Sequence, residues 1–86
     1  MDQYEDISGQ STVSAYLCGT NFIVVSFKAP GVNHYLYDSR KPGQHEVEKM
    51  QKLARAGRGL GEYLATDAGK EYARRASSLT ELGIEH

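Results

Sequence analysis

Apolar side chains first alternate along this chain and later recur at helical spacing, and the change of period divides it in two. Residues 22–27, Phe-Ile-Val-Val-Ser-Phe, are β-branched or aromatic at five of six positions, a composition suited to a pleated surface. Successive strand side chains point to opposite faces, so Ile23, Val25 and Phe27 share one wholly apolar face, which reads as core. Ala29-Pro30-Gly31 breaks that strand, because Pro30 offers no N–H to a ladder and Gly31 tolerates positive φ. The chain resumes over 32–37, where Tyr35 and Tyr37 share one face and His34 and Leu36 the other; alternation alone leaves open which face is buried. Upstream, residues 11–18 alternate Val13, Ala15 and Leu17 against Thr12, Ser14, Tyr16 and Cys18, which predicts a half-buried strand with the first set inward. Gly19-Thr20-Asn21 is a turn signal, so the three strands form an antiparallel meander.

Beyond the loop Asp38-Ser39-Arg40-Lys41-Pro42-Gly43 the period lengthens. Val47, Met50, Leu53 and Ala54 fall on one side of a helix, and Glu48 stands four residues before Lys52 in the favourable order. Gly57 and Gly59 stop that helix, with Arg55 and Arg58 near its negative end. Leu60, Tyr63, Leu64, Ala68 and Tyr72 form a second stripe. Thr66-Asp67 is suited to cap a fresh helix and Gly69 weakens a continuous one, so the reading is either a short helix from Leu60 and a second from Asp67 to Arg75, or one bent helix. The expected fold is α+β: a three-stranded antiparallel β-meander followed by two to three helices packed on one sheet face. Residues 11–76 form the single domain; 1–10 is an acidic lead predicted to fray, and 77–86 a polar C-terminal tail. Ser78 and Glu81 in that tail stand at capping-box spacing.

Composition narrows the class. At 86 residues the chain holds one domain at most, and a chain this short hides only about 60% of its unfolded surface, leaving a thin margin of stability. One cysteine, Cys18, permits no internal disulfide and suits a reducing cytoplasm. No apolar run reaches the roughly 20 residues of a membrane span, and Met1-Asp2-Gln3 opens no signal peptide. The net charge of −1 is unevenly distributed. Residues 1–38 carry one cation against four carboxylates, whereas 39–75 carry nine against five. Such a split marks either an anion-facing surface or simply solvated basic helices.

Catalytic chemistry has little to stand on. His34, His45 and His86 form no HxxxH or HxH spacing, and a metal site would need ligands gathered by folding alone. Cys18 has uncharged neighbours, Leu17 and Gly19, which favours an inert thiol over a thiolate; only a pairing with His34 across the sheet would change that. Gly57-Arg58-Gly59-Leu60-Gly61 matches neither the phosphate-loop nor the dinucleotide pattern, and reads as a connector whose glycines supply left-handed dihedrals. The stronger lead joins tyrosines to cations, since aromatics on a sheet beside lysine and arginine make a stacking platform for single-stranded nucleic acid. Burial of the tyrosine rings beneath the helices is the opposing explanation.

The strand Ile23-x-Val25-x-Phe27, the turn at Gly31, Tyr35-Leu36-Tyr37, the helix bearing Val47, Glu48 and Met50, Ala56-Gly57-x-Gly59, Tyr63 and Tyr72 together resemble the KTSC domain. That family is named for a segment at the C-terminus of some lysyl-tRNA synthetases and also occurs as free-standing bacterial proteins. The resemblance spans about 11–75 and implies a small RNA-binding module. Carried onto this chain, the candidate nucleic-acid-binding residues are Tyr35, Tyr37, Lys49, Lys52, Arg55, Arg58, Lys70, Arg74 and Arg75.

The expected function is therefore a non-enzymatic, cytoplasmic module without cofactor or metal, binding RNA or another polyanion through its basic helical region and the adjacent tyrosines. The alternative is a protein-interaction or homodimerisation module that offers 11–18 or 32–37 as an edge strand to a partner.

Overall fold

The computed structural model describes residues 2–7, 9 and 11–84; Glu85 and His86 lie outside the described residues. The class is α+β, as the change of period predicts. The sheet, however, is larger than a three-strand meander. Five antiparallel strands stand in chain order: β1 (Asp2–Gln3), β2 (Val13–Cys18), β3 (Phe22–Phe27), β4 (His34–Asp38) and β5 (Arg74–Ala76). Between the last two strands the chain forms α1 (Gln44–Ala56), α2 (Leu60–Leu64) and a 3₁₀ turn at Asp67–Lys70.

The central strand behaves as its alternation requires. Ile23 and Val25 are fully buried, with Phe27 packed at their margin, in a core shared with Val47, Met50 and Ala54 of α1 and Leu60 and Leu64 of α2. The register sets Tyr37 opposite Ile23 and Tyr35 opposite Val25, so both tyrosines face the helices. Opposite Ile23 and Val25 on the other side stand Cys18 and Tyr16.

Strict alternation fails in β2. Val13 pairs with Phe27, but Ala15 already pairs with Ser26, so one residue is inserted at Ser14. A bulge of this kind shifts the phase by one and sends later side chains to the other face. Val13 is inward beneath the helices as expected, whereas Ala15 and Leu17 point away and Tyr16 and Cys18 take their place.

The second helical segment also needs correction. Its chain leaves the helix at Leu64, makes the 3₁₀ turn, and then returns as β5 beside β4, with Arg75 opposite Tyr35 and Arg74 opposite Leu36. Arg74 and Arg75 are therefore strand residues. The same pairing, together with that of β1 along β2, makes both supposed edge strands interior. The actual edges are two and three residues long, short enough to discourage strand addition.

The described residues of both lead and tail are folded in. Tyr4 is only 4% exposed, and its hydroxyl accepts the Leu60 N–H at 3.2 Å; the Ile7 N–H donates to the Gly57 carbonyl at 2.8 Å. The tail closes the face that the helices leave open, where Leu79 and Leu82 bury themselves with Val24 and Ala76 against Leu17, Phe22 and Leu36. Ser78 does accept the Glu81 N–H, at 3.3 Å, but the segment stays a turn. No helix among the described residues is long and apolar enough to cross a membrane.

Candidate functional site

The α1 helix is amphipathic, and its polar side is the more informative. Val47, Met50 and Ala54 are buried; Gln51, beside them, is only 7% exposed. Its amide donates to the carbonyls of Gly19 and Phe22, each at 2.8 Å, and so pins the helix over the β2–β3 turn. With that side fixed, Lys49, Lys52 and Arg55 must face water, and all three are exposed. Lys49 holds its ammonium 5.2 Å from the centre of the Tyr63 ring. The expected Glu48–Lys52 pair does not form; Glu48 instead accepts from Gln44 at 2.9 Å.

The helix ends where its glycines allow. Gly57 and Gly59 have φ of +73° and +84°, left-handed values that favour glycine, and Gly57 lies so close to the lead that a Cβ there would come within 2.8 Å of Glu5 Cβ. Arg58 stands between them, exposed. Four cations thus follow one another along the outer side of α1 and its terminal loop. None of the four takes part in an ion pair among the described residues; those that form are Lys28–Asp6, Lys41–Glu71 and Lys70–Asp67.

The remaining candidates go elsewhere. Arg74 turns to the tail and donates to the carbonyls of Leu82 and Glu81, each at 3.2 Å, a structural task. Arg75 places its guanidinium 5.7 Å from the centre of the Tyr72 ring. Tyr37 is 1% exposed, with its hydroxyl donating to the Gly69 carbonyl at 2.8 Å, so it offers no ring face to a base. Burial, with smaller contributions from Tyr35 and Tyr72, holds its phenol well above the ordinary tyrosine range and keeps it neutral. Tyr35 is half-buried, edge-to-face with Phe27 on one side (5.2 Å between centroids) and Tyr72 on the other (4.9 Å).

These three rings, with Val32, wall a groove of about 600 Å³ where β3 leads into β4. Lys28 and Lys70 also line it, and none of its lining residues comes from α1. The structure therefore separates part of what the sequence reading joined: Lys49, Lys52, Arg55 and Arg58 lie along the helix side, whereas Lys70 lines the aromatic groove with Tyr35 and Tyr37. Sequence reasoning had no means to complete the groove, because Phe27 and Tyr35 meet across the β3–β4 hairpin but Tyr72 joins them only through the return of the chain past the 3₁₀ turn. Gln51 was more accessible, since it follows Val47 by four residues and so falls beside the apolar stripe.

Cys18 and His34 do not meet. Cys18 pairs at the Ile23 end of β3 and faces the helices, whereas His34 pairs with Ser26 near the other end and shares the opposite face with Leu36. Burial pushes the Cys18 thiol up, offset in part by the Arg55 charge. His34 Nδ1 lies 2.7 Å from Asn33 Oδ1. Among the described residues no three of His, Cys, Asp and Glu gather as metal ligands.

No family model, no curated protein and no solved structure matches this chain.

Proposed function

We propose that this is a non-enzymatic, cytoplasmic module that binds RNA or a similar polyanion along the outer side of α1. One observation carries the reading: Lys49, Lys52, Arg55 and Arg58 are all exposed and free of ion pairs among the described residues, with no carboxylate in the chain from 49 to 61. Cations already neutralised by neighbours gain little from a phosphate; these have that charge to offer. Their separation from the aromatic groove shifts the reading from base stacking to backbone contact, which implies weak sequence preference.

Titration of a labelled single-stranded RNA and an RNA hairpin at two salt concentrations tests it. Binding should weaken steeply as salt rises, and for the single strand each cation removed should lower the log–log slope by about 0.7. Lys52→Gln with Arg55→Gln is the informative variant, since both side chains are exposed and the fold should survive. Absence of binding at low salt, or binding indifferent to salt, would reject the assignment.

A further inference from the structure

The groove beside β4 has features that the α1 surface does not need. Its walls are the rings of Phe27, Tyr35 and Tyr72, and Val32 stands at its mouth 52% exposed, one of two large apolar side chains so displayed among the described residues. A volume of about 600 Å³ lies within the range of about 300–1,000 Å³ occupied by small-molecule sites, and a mostly apolar lining with few polar groups is their usual character. Charge at the rim is of one sign, for Lys28 and Lys70 line the groove and no Asp or Glu does.

The two lysines differ in freedom. Lys28 Nζ sits 3.0 Å from Asp6 Oδ2, which fixes one lip. Lys70 reaches Asp67 only at 4.0 Å, with the ammonium side chain 78% exposed and the carboxylate fully so. Water screens such a pair strongly, and its net worth is small, so Lys70 can turn to a ligand at little cost. At the base, the Tyr37 hydroxyl is already committed to the Gly69 carbonyl. The charged contact open to a ligand is therefore cationic and at the edge.

We propose that this groove binds a small aromatic acid, its flat apolar body against Tyr35, Tyr72 and Val32 and its anionic group toward Lys70. An apolar body gains from leaving water in the trough, and a single negative charge finds its partner without being buried. The inference is independent of the polyanion reading, because the two surfaces share no residue of α1.

A matched pair of probes separates the two contributions: 1-anilinonaphthalene-8-sulfonate, which is anionic, and N-phenyl-1-naphthylamine, its uncharged counterpart. With the folded chain, the sulfonate should bind one per molecule, raise Tm, and move the amide resonances of Val32, Asn33 and Lys70. Lys70→Glu should weaken it about three- to tenfold, as loss and reversal of one rim charge would, and leave the neutral probe unchanged. Val32→Glu, at an exposed position outside the buried core, should weaken both probes at least about tenfold by setting a charge in the apolar trough. Equal loss of both probes in Lys70→Glu, or no loss of either in Val32→Glu, would overturn the proposal, as would resonance shifts confined to other parts of the chain.

Discussion

On one face of the sheet, Ile23 and Val25 share a core with Val47, Met50 and Ala54 of a single thirteen-residue helix; on the other, Val24 of the same strand is covered by Leu79 and Leu82 from a tail whose described residues form neither helix nor strand. The helix repeats its apolar positions each turn and is held at the β2–β3 turn by the two hydrogen bonds of Gln51. The tail has two buried leucines, a half-buried Ile84, and the Arg74 guanidinium holding the carbonyls of Glu81 and Leu82. Both close the sheet, but the first does so by many contacts that form together and the second by a few that can open separately. The helix face should therefore carry global stability and the tail face local stability.

The largest effect that would test this difference is expected in α1. Met50→Ala leaves a cavity at a fully buried position and should cost about 2–5 kcal/mol in urea unfolding, with little change in the denaturant slope. A loss well below that range would mean that the helix layer is not what holds the molecule. In the tail, Leu82→Ala should cost less, about 2 kcal/mol, because a short turn can settle into the space. Hydrogen exchange gives the sharper reading: the amides of Leu82 and Ile84, which donate to Leu79, should lose protection in this variant while those of α1 keep theirs. Equal loss in both places would merge the two faces into one unit.

The smallest effect concerns the hydrogen bond from Tyr37 to Gly69, which ties the sheet to the 3₁₀ turn. Tyr37→Phe should cost about 1 kcal/mol near neutral pH. It should also change the alkaline limb of the stability curve. The Tyr37 phenol is raised in the folded state above its ordinary 10.0 by burial first, then by Tyr35 and Tyr72. The unfolded chain therefore releases this proton first, and the contribution is complete below pH 10.0 and lost as pH rises beyond it. Wild type should decline above that value more steeply than Tyr37→Phe, with any residual slope traced to Tyr16 and Tyr63, whose phenols are also raised by burial. Identical slopes would show that Tyr37 does not titrate against folding.

The candidate sites teach a related lesson. The cationic side of α1 was legible because Lys49, Lys52 and Arg55 occupy the positions that Val47, Met50 and Ala54 leave to solvent, and Gly57 marks where the helix must stop. Helical geometry joins these residues without help from the rest of the chain. The role of Tyr37 was not legible: its face was ambiguous until β5 and the helices chose it. Nor was that of Arg74, which a local reading puts on a helix surface and the sheet turns toward the tail.

Taken by itself, the sequence determined the elements whose signal lies in neighbouring residues. These are the alternation of Phe22–Phe27, the lengthened period of Gln44–Ala56 and the glycine stop after it. Dihedral preferences and the spacing of apolar positions act over a few residues, so they can be read in place. Tertiary structure alone decided the bulge at Ser14, the strand formed by Arg74–Ala76, the covering of the second face by the tail, and the meeting of Phe27, Tyr35 and Tyr72. Each depends on a partner far along the chain: Arg74–Ala76 is a strand because β4 offers unpaired backbone groups, and the tail folds down because Val24 and Leu36 would otherwise meet water.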